Sequence, residues 1–202
     1  MIEALVLVRH GETVHNVAGT VQGWQDSALS DKGRDQVQRL AQRLLAHRVD
    51  AIFSSPLQRA RATADAIAAA TGLEVHELED LREMNYGGWE GMSFLDVRRD
   101  WLDHYHRWAA DPDFPCPDGE SHNDVLRRMG AAFEAIKTAP ARRPVVVSHG
   151  TAIRIGATAL LNVPIAVSRS LAQDNASINL FVWRGDRFVM KVWNDTSHCA
   201  EG

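Results

Sequence analysis

Two histidines in this chain of 202 residues each follow closely on a short apolar run. His10 comes after residues 5–8 and Arg9, and His149 comes just beyond residues 144–147. A neutral imidazole can act as a covalent nucleophile, which divides one difficult displacement into two easier steps. Because arginine carries a permanent charge on a planar fork of donors, Arg9 suits the oxygens of a phosphate group. These residue types predict phosphoryl transfer through histidine.

A third apolar run ends in the same manner and brings a second arginine. Residues 50–53 lead into Ser55 and Pro56, and Arg59 follows about one helical turn later. In open α/β sheets, ligands bind outside the carboxyl ends of parallel strands. If the three runs are parallel strands, Arg59 therefore joins Arg9 and the two histidines around one anion-binding pocket. Arg61 lies roughly 200° further round the helix and is expected at the surface or in a salt bridge.

The elements that must position these residues alternate between strands and helices. The three runs are apolar throughout and not at alternate positions, which is typical of strands buried on both faces of a parallel sheet. Ser30 is expected to cap one helix, and Ser55 with Pro56 to begin another. The first of these helices is expected to bury a face formed by Val37, Leu40, Ala41, Leu44 and Leu45.

The remaining elements complete one α/β domain. Residues 74–78 are expected to add a strand, residues 93–121 to form helices and loops over the sheet, and residues 177–193 to close the chain as a hairpin. Strands that alternate with helices indicate a parallel sheet with right-handed crossovers. The predicted fold class is α/β: a single three-layer α/β/α domain, residues 1–202, around a mostly parallel sheet.

Composition limits the partners and the compartment. The net charge of −4 argues against a general affinity for nucleic acid or for an anionic membrane. The apolar start of the chain is interrupted by Glu3 and lacks a basic segment, so no signal peptide is predicted. Only Cys116 and Cys199 are present, which favours a reducing compartment, and a cytoplasmic protein is expected. The sequence leaves a homodimer open.

The motifs resemble those of the histidine phosphatase superfamily, the phosphoglycerate-mutase-like proteins, over nearly the whole chain. The resemblance implies the phosphoglycerate-mutase-like version of the fold. It is carried by blocks that occur in the family's order: Arg9-His10-Gly11-Glu12-Thr13, Asn16, Gln22-Gly23-Trp24-Gln25-Asp26, Ser54-Ser55-Pro56-Leu57-Gln58-Arg59-Ala60, Leu81-Arg82-Glu83-Met84-Asn85-Tyr86-Gly87-Gly88-Trp89-Glu90-Gly91, Asp118-Gly119-Glu120-Ser121 and Val147-Ser148-His149-Gly150.

The resemblance also implies a role for each matching residue. His10 is expected to be the phosphorylated nucleophile, with Glu83 as proton donor and later as the base that activates water. The phosphoryl group is expected to be bound by Arg9, Arg59 and His149, and the pocket around it to be lined by Asn16, Gln22, Gly23, Gly150 and Thr151. No metal and no organic cofactor is implied, because the arginines supply the positive charge. Glu12, Glu90 and Glu120 are the rival carboxylates for the role of Glu83.

Members of the family divide between phosphatases and phosphoglycerate mutases, and the departures favour a phosphatase. In the mutase pattern the chain is longer, a lysine stands at the position of Phe94, and a small hydroxyl residue stands at the position of Gln22. A metal-independent phosphomonoesterase acting on a small phosphorylated metabolite is therefore expected, with residues 84–121 as the specificity region. A cofactor-dependent mutase is the alternative, and a non-catalytic phosphate-binding module is a third hypothesis.

Overall fold

Six strands form one sheet in the computed structural model, which describes residues 2–200. In chain order they are β1 (Ala4–Arg9), β2 (Ala51–Ser54), β3 (Val75–Glu77), β4 (Pro144–Ser148), β5 (Ile178–Arg184) and β6 (Arg187–Asp195). The order across the sheet is β3-β2-β4-β1-β5-β6. Strands β1 to β4 are parallel to one another. Strand β5 pairs antiparallel with β1, and β6 pairs antiparallel with β5, as the predicted hairpin requires. The mostly parallel α/β sheet is confirmed.

Seven α-helices connect the strands and cover both faces of the sheet. They are α1 (Val14–Ala18), α2 (Asp31–Leu45), α3 (Gln58–Thr71), α4 (Phe94–Asp100), α5 (Leu102–Ala110), α6 (His122–Thr138) and α7 (Gly150–Leu161). Alternate residues of β1 serve the two layers, because side chains along a strand point to opposite faces. Leu5 and Leu7 pack with α6 and α7, while Val6 and Val8 pack with α2 and α3. None of these helices is long and apolar enough to cross a membrane.

The register aligns the polar ends of three strands. Arg9 pairs with Ser148 across β1 and β4, and Ser54 pairs with Val147 across β2 and β4. Since β4 lies between the other two, the residues that follow all three strands lie side by side. This juxtaposition brings His10 and His149 to the same edge of the sheet.

Two glycines allow the loop after β1 to pack closely on α2. A Cβ at Gly33 would lie 1.9 Å from the carbonyl oxygen of Glu12, and a Cβ at Gly11 would lie 2.6 Å from the Val37 side chain. Separations under about 3 Å require something to shift, so both positions need glycine. Ser30 caps α2 by accepting from the Gly33 amide at 2.9 Å, as predicted.

Two local predictions are wrong. The helix that carries Arg59 begins at Gln58 and has no side-chain cap, so Ser55 and Pro56 belong to the preceding connection. The Ser55 hydroxyl accepts from the Leu57 amide, at 3.3 Å, which lies before the helix begins, and it also contacts His149. Leu45 is exposed, since it lies about 100° round the helix from the buried Leu44.

Candidate active site

A cavity of about 270 Å³ opens at the carboxyl ends of β1 and β4. It is lined by Arg9, His10, Asn16, Thr20, Val21, Gln22, Gly23, Arg59, Glu83, Tyr86, Phe94, Gly150, Thr151, Arg154, Leu171, Ala172 and Gln173. Nine of the ten predicted site residues belong to this lining, and the tenth, His149, is fully buried behind His10. A larger hollow near the start of β1 contains Arg142 and Arg143, but both already pair with Glu3.

The hydrogen bonds of His10 leave one ring nitrogen free. Its Nδ1 lies 2.7 Å from the carbonyl oxygen of Gly11, which can only accept, so Nδ1 carries the proton and Nε2 has a lone pair. Burial, followed by the charges of Arg59 and Arg9, holds the pKa of His10 well below its usual value of 6.5. The imidazole is therefore neutral at physiological pH, as a nucleophile requires.

His149 lies against His10, with 5.2 Å between the ring centroids. Its Nε2 is 2.8 Å from the Ser55 hydroxyl, which itself accepts from the Leu57 amide at 3.3 Å. Because the Ser55 oxygen accepts the hydrogen bond from that amide, its O–H can donate to Nε2. The proton of His149 is then on Nδ1. Burial and the charge of Arg59 hold the pKa of His149 well below 6.5, so this ring is also neutral. Nδ1 is buried without a partner among residues 2–200, so its N–H is available to donate to a ligand.

Two arginines are held by backbone carbonyl groups. Arg59 is 1% exposed and donates to the carbonyl oxygens of Gly23 at 2.6 Å and Gln25 at 2.8 Å. Arg9 donates to the carbonyl oxygen of Gln173. The Nε atoms of both arginines are buried with no partner in the described part of the chain. Buried polar groups are almost always hydrogen-bonded, so these two N–H groups are able to donate to a ligand in the cavity.

Glu83 accepts hydrogen bonds from the first turn of α7. Its carboxylate accepts from the amides of Ala152 at 3.0 Å and Thr151 at 3.2 Å, and from that of Met84 at 2.8 Å. The positive end of the helix dipole faces the carboxylate there and fixes its orientation. The start of α7, which directly follows His149, therefore also holds the side chain of Glu83.

A largely buried ion pair holds the backbone of Glu83 from behind. Arg128 of α6 binds Glu120 through two nitrogens, at 2.7 and 2.9 Å. The same guanidinium donates to the carbonyl oxygens of Arg82 and, at 2.9 Å, Glu83. The Glu83 carbonyl also accepts from the Trp24 indole at 2.8 Å. The candidate proton donor is consequently fixed at both its side chain and its backbone.

The three rival carboxylates lie outside the cavity lining and have other partners. Glu12 accepts from Ser30 and pairs with Lys32, and Glu90 accepts from the amides of Trp24 and Tyr86. Glu120 is the partner of Arg128 described above. Arg61 pairs with Asp65 and Glu77 at the surface, as the sequence predicted.

The predicted pocket residues lie on three segments. Asn16 and Gln22 both bind the Thr13 hydroxyl, and Asn175 donates to Asn16 and to the carbonyl oxygen of His10. The backbone at Gly23 has φ +53°, which directs its carbonyl to Arg59. Gly150 and Thr151 begin α7.

Sequence reasoning missed several residues of the cavity, among them Arg154 and Tyr86. The Thr151 hydroxyl lies 2.7 Å from the Tyr86 hydroxyl and accepts from Arg154 at 2.9 Å. Burial raises the pKa of Tyr86, so its hydroxyl keeps its proton. One signal could have found Arg154: residues 150, 151 and 154 share one side of a helix that starts at the pocket.

The family model of the histidine phosphatase superfamily, branch 1, matches residues 5–196. Phosphoserine phosphatase 1 of Hydrogenobacter thermophilus is 35% identical, over 98% of this chain and 94% of its own length. A probable phosphoglycerate mutase of Erwinia tasmaniensis is 34% identical, over 96% and 94%. A mycobacterial glucosyl-3-phosphoglycerate phosphatase superposes with a TM-score of 0.87 at 33% identity, covering 95% of this chain and 98% of that one. The chain belongs to the histidine phosphatase superfamily, and these relatives support a phosphatase.

Proposed function

We propose that this protein is a metal-independent phosphomonoesterase that hydrolyses a small phosphorylated metabolite through a phosphohistidine at His10. The observation that carries the proposal is the pairing of a neutral nucleophile with unsatisfied donors. The Nε2 lone pair of His10 lies in the same cavity as Arg9 and Arg59, whose buried Nε atoms lack partners in residues 2–200. A phosphoryl group there would satisfy the donors while it meets the nucleophile.

In the first step, His10 Nε2 attacks phosphorus, and the P–N bond forms as the ester P–O bond breaks. The leaving oxygen takes the proton of the Glu83 carboxyl group. Arg9, Arg59 and the Nδ1–H of His149 stabilise the charge on the three equatorial oxygens. The Nδ1–H of His10 keeps its hydrogen bond to the Gly11 carbonyl oxygen, and this bond stabilises the positive charge that the ring acquires.

In the second step, water attacks the phosphorus of phospho-His10. Glu83 takes a proton from that water, the P–N bond breaks, and inorganic phosphate leaves. The carboxyl group thereby recovers the proton that it gave in the first step, and His10 returns to its neutral form. The arginines supply the positive charge in both steps, so we propose that no metal or cofactor takes part.

One residue of the pocket favours hydrolysis over a mutase reaction. A mutase must retain its phosphorylated product and let it turn round, and in the mutase pattern a lysine helps to hold that product. Phe94 stands at the mouth of the cavity, 42% exposed, where the mutase pattern has a lysine. Tyr86 also lines the cavity. Both residues come from the segment 84–121, which we propose sets specificity.

The expected setting is the cytoplasm, and the expected partner is a small phosphorylated metabolite. The free thiols of Cys116 and Cys199 support a reducing compartment. Two relatives are named for phosphoserine and for glucosyl-3-phosphoglycerate, which are both phosphomonoesters that also carry a carboxylate. These names support small carboxylated esters as the first substrates to test.

The test is capture of the phosphoenzyme. Purified protein is mixed with a ³²P-labelled phosphomonoester in the presence of EDTA and quenched within the first turnovers. We expect label that is acid-labile and alkali-stable on the wild type, and none on His10→Ala. His76→Ala removes an exposed histidine of β3 and should label normally. Circular dichroism shows whether each variant is folded. Labelling of folded His10→Ala, or turnover that requires added metal, would falsify the mechanism.

A further inference from the structure

Arg154 presents an unpaired guanidinium edge to the cavity. Its Nε donates to the carbonyl oxygen of Gly150 at 3.3 Å, and one terminal nitrogen donates to the Thr151 hydroxyl at 2.9 Å. A guanidinium group has five N–H donors, so three remain after these two bonds. Two contacts on one side hold the group in place and leave donors on the other side free.

Arg154 has no ion-pair partner among residues 2–200. No carboxylate of residues 2–200 lies within 4.0 Å of it, whereas Arg61, Arg82, Arg99 and Arg128 are all paired. The side chain is half-buried at the cavity wall. A partly desolvated cation without an anion is unfavourable, and an anionic ligand would correct this.

Arg154 is held by hydrogen-bond partners different from those of Arg9 and Arg59. Arg59 is held by the carbonyl groups of Gly23 and Gln25, and Arg9 by that of Gln173. Arg154 shares none of these partners and binds the start of α7 instead. The cavity therefore has a cation on a different segment from the two that face His10.

We propose that Arg154, with the Thr151 hydroxyl, forms a second anion subsite that binds a carboxylate of the substrate. The inference rests on the proposed function and narrows it to phosphomonoesters that carry a carboxylate a few atoms from the ester oxygen. A carboxylate fits because its two oxygens match two parallel N–H groups of a guanidinium edge. The cavity of about 270 Å³ is small enough for one compact molecule to reach both subsites.

The apolar neighbours of this subsite strengthen it. Phe94 and Leu171 line the same cavity, and the ring of Tyr86 is buried beside Thr151. A charge-assisted hydrogen bond is stronger where water is excluded. An uncharged group at this position would leave Arg154 without an anion, so the protein should bind esters of simple alcohols more weakly.

The test compares two ligands of nearly equal size, 3-phosphoglycerate and glycerol 3-phosphate, which differ by carboxylate against hydroxymethyl. Both are titrated calorimetrically into the unreactive His10→Ala variant, with and without Arg154→Gln. We expect the carboxylate to improve binding by about tenfold or more, and Arg154→Gln to remove most of that advantage. Arg154→Lys keeps the charge but loses the fork, and should retain part of it. In protein that retains His10, Arg154→Gln should change the ratio of the two kcat/KM values, for 3-phosphoglycerate and glycerol 3-phosphate, in the same way. The change should come mainly through KM.

The matched control is Arg169→Gln, which removes an exposed arginine outside the cavity lining and should leave both ligands unchanged. Equal binding of the two ligands, or equal losses for both in Arg154→Gln, would overturn the subsite. The second result would make Arg154 part of the phosphoryl site or a support for Thr151. The binding measurement needs no turnover, so absence of hydrolysis counts against the proposed function and not against the subsite.

Discussion

The guanidinium of Arg128 donates a hydrogen bond to the backbone carbonyl oxygen of Glu83 at 2.9 Å. Arg128 is itself fixed by Glu120, and both side chains are largely buried, at 13% and 17% exposed. Within residues 2–200, Glu83 is the one cavity-lining residue to which the side chains of the pair form a hydrogen bond. The pair therefore acts as a positioning device for the candidate proton donor.

Replacing Arg128 by lysine should impair proton donation selectively. Lysine keeps the charge but cannot bind Glu120 through two nitrogens and reach the carbonyl of Glu83 as well. We expect kcat for an alkyl phosphate to fall about tenfold more than kcat for p-nitrophenyl phosphate, whose leaving group needs little protonation. Arg127→Lys, at the exposed neighbouring position, is the control. An equal fall for both esters would show that Arg128 only stabilises the fold.

The hydroxyl of Ser55 should matter for catalysis through His149. Ser55→Ala removes the hydrogen bond that keeps the His149 proton on Nδ1, so the ring can turn its donor away from the phosphoryl group. We expect kcat to fall about tenfold, which corresponds to ~1.4 kcal/mol. Ser54→Ala removes a buried hydroxyl that bonds only the Ser55 carbonyl and should have a smaller effect on kcat. Similar kcat values for the two variants would contradict this role.

Stability should decrease as the pH falls from 6.5 towards 4. Burial, then the charges of Arg169 and Arg154, lowers the pKa of His122 to about 4, and the pKa values of His10 and His149 are also lowered. In this range the unfolded chain binds protons that the folded state excludes. The free energy of unfolding should then drop by up to about 1.4 kcal/mol per pH unit for each such histidine.

Urea unfolding at pH 7 and pH 5 measures this effect. His122→Gln removes one titrating group and should make the loss of stability between the two pH values smaller than in the wild type. His106→Gln replaces an exposed histidine and serves as the control. The same pH dependence in the wild type and in His122→Gln would show that burial of His122 does not control it.

Gly33 should be intolerant of even a methyl group. In Gly33→Ala the new Cβ would meet the carbonyl oxygen of Glu12, so either α2 or the loop after His10 must move. We expect a loss of at least ~1–3 kcal/mol in the free energy of unfolding, together with lower activity. Gly130→Ala is the control, because a Cβ there meets nothing within 4 Å and alanine favours the helix. Equal urea midpoints for the two variants would exclude the close approach.

The sequence allowed prediction of those parts of the site that depend on local pattern. Apolar runs that end in polar residues identified β1, β2 and β4, and with them the placement of His10, Arg59 and His149. Periodicity could not find contacts between distant segments, such as Ser55 with His149 or Arg128 with Glu83. The Ser55 hydroxyl likewise has a partner far along the chain, His149, which the predicted helix cap did not include.

The segment just before β5 holds the first two candidate catalytic residues and is synthesised after all five of them. Arg9 is held by Gln173, and the carbonyl of His10 accepts from Ala176 and Asn175 just before β5 begins. All five candidate catalytic residues have been translated once His149 is added, but the segment that fixes the first two has not. A chain that stops soon after His149 would therefore carry every candidate catalytic side chain but lack the contacts that orient Arg9 and His10, and we expect it to have no phosphatase activity.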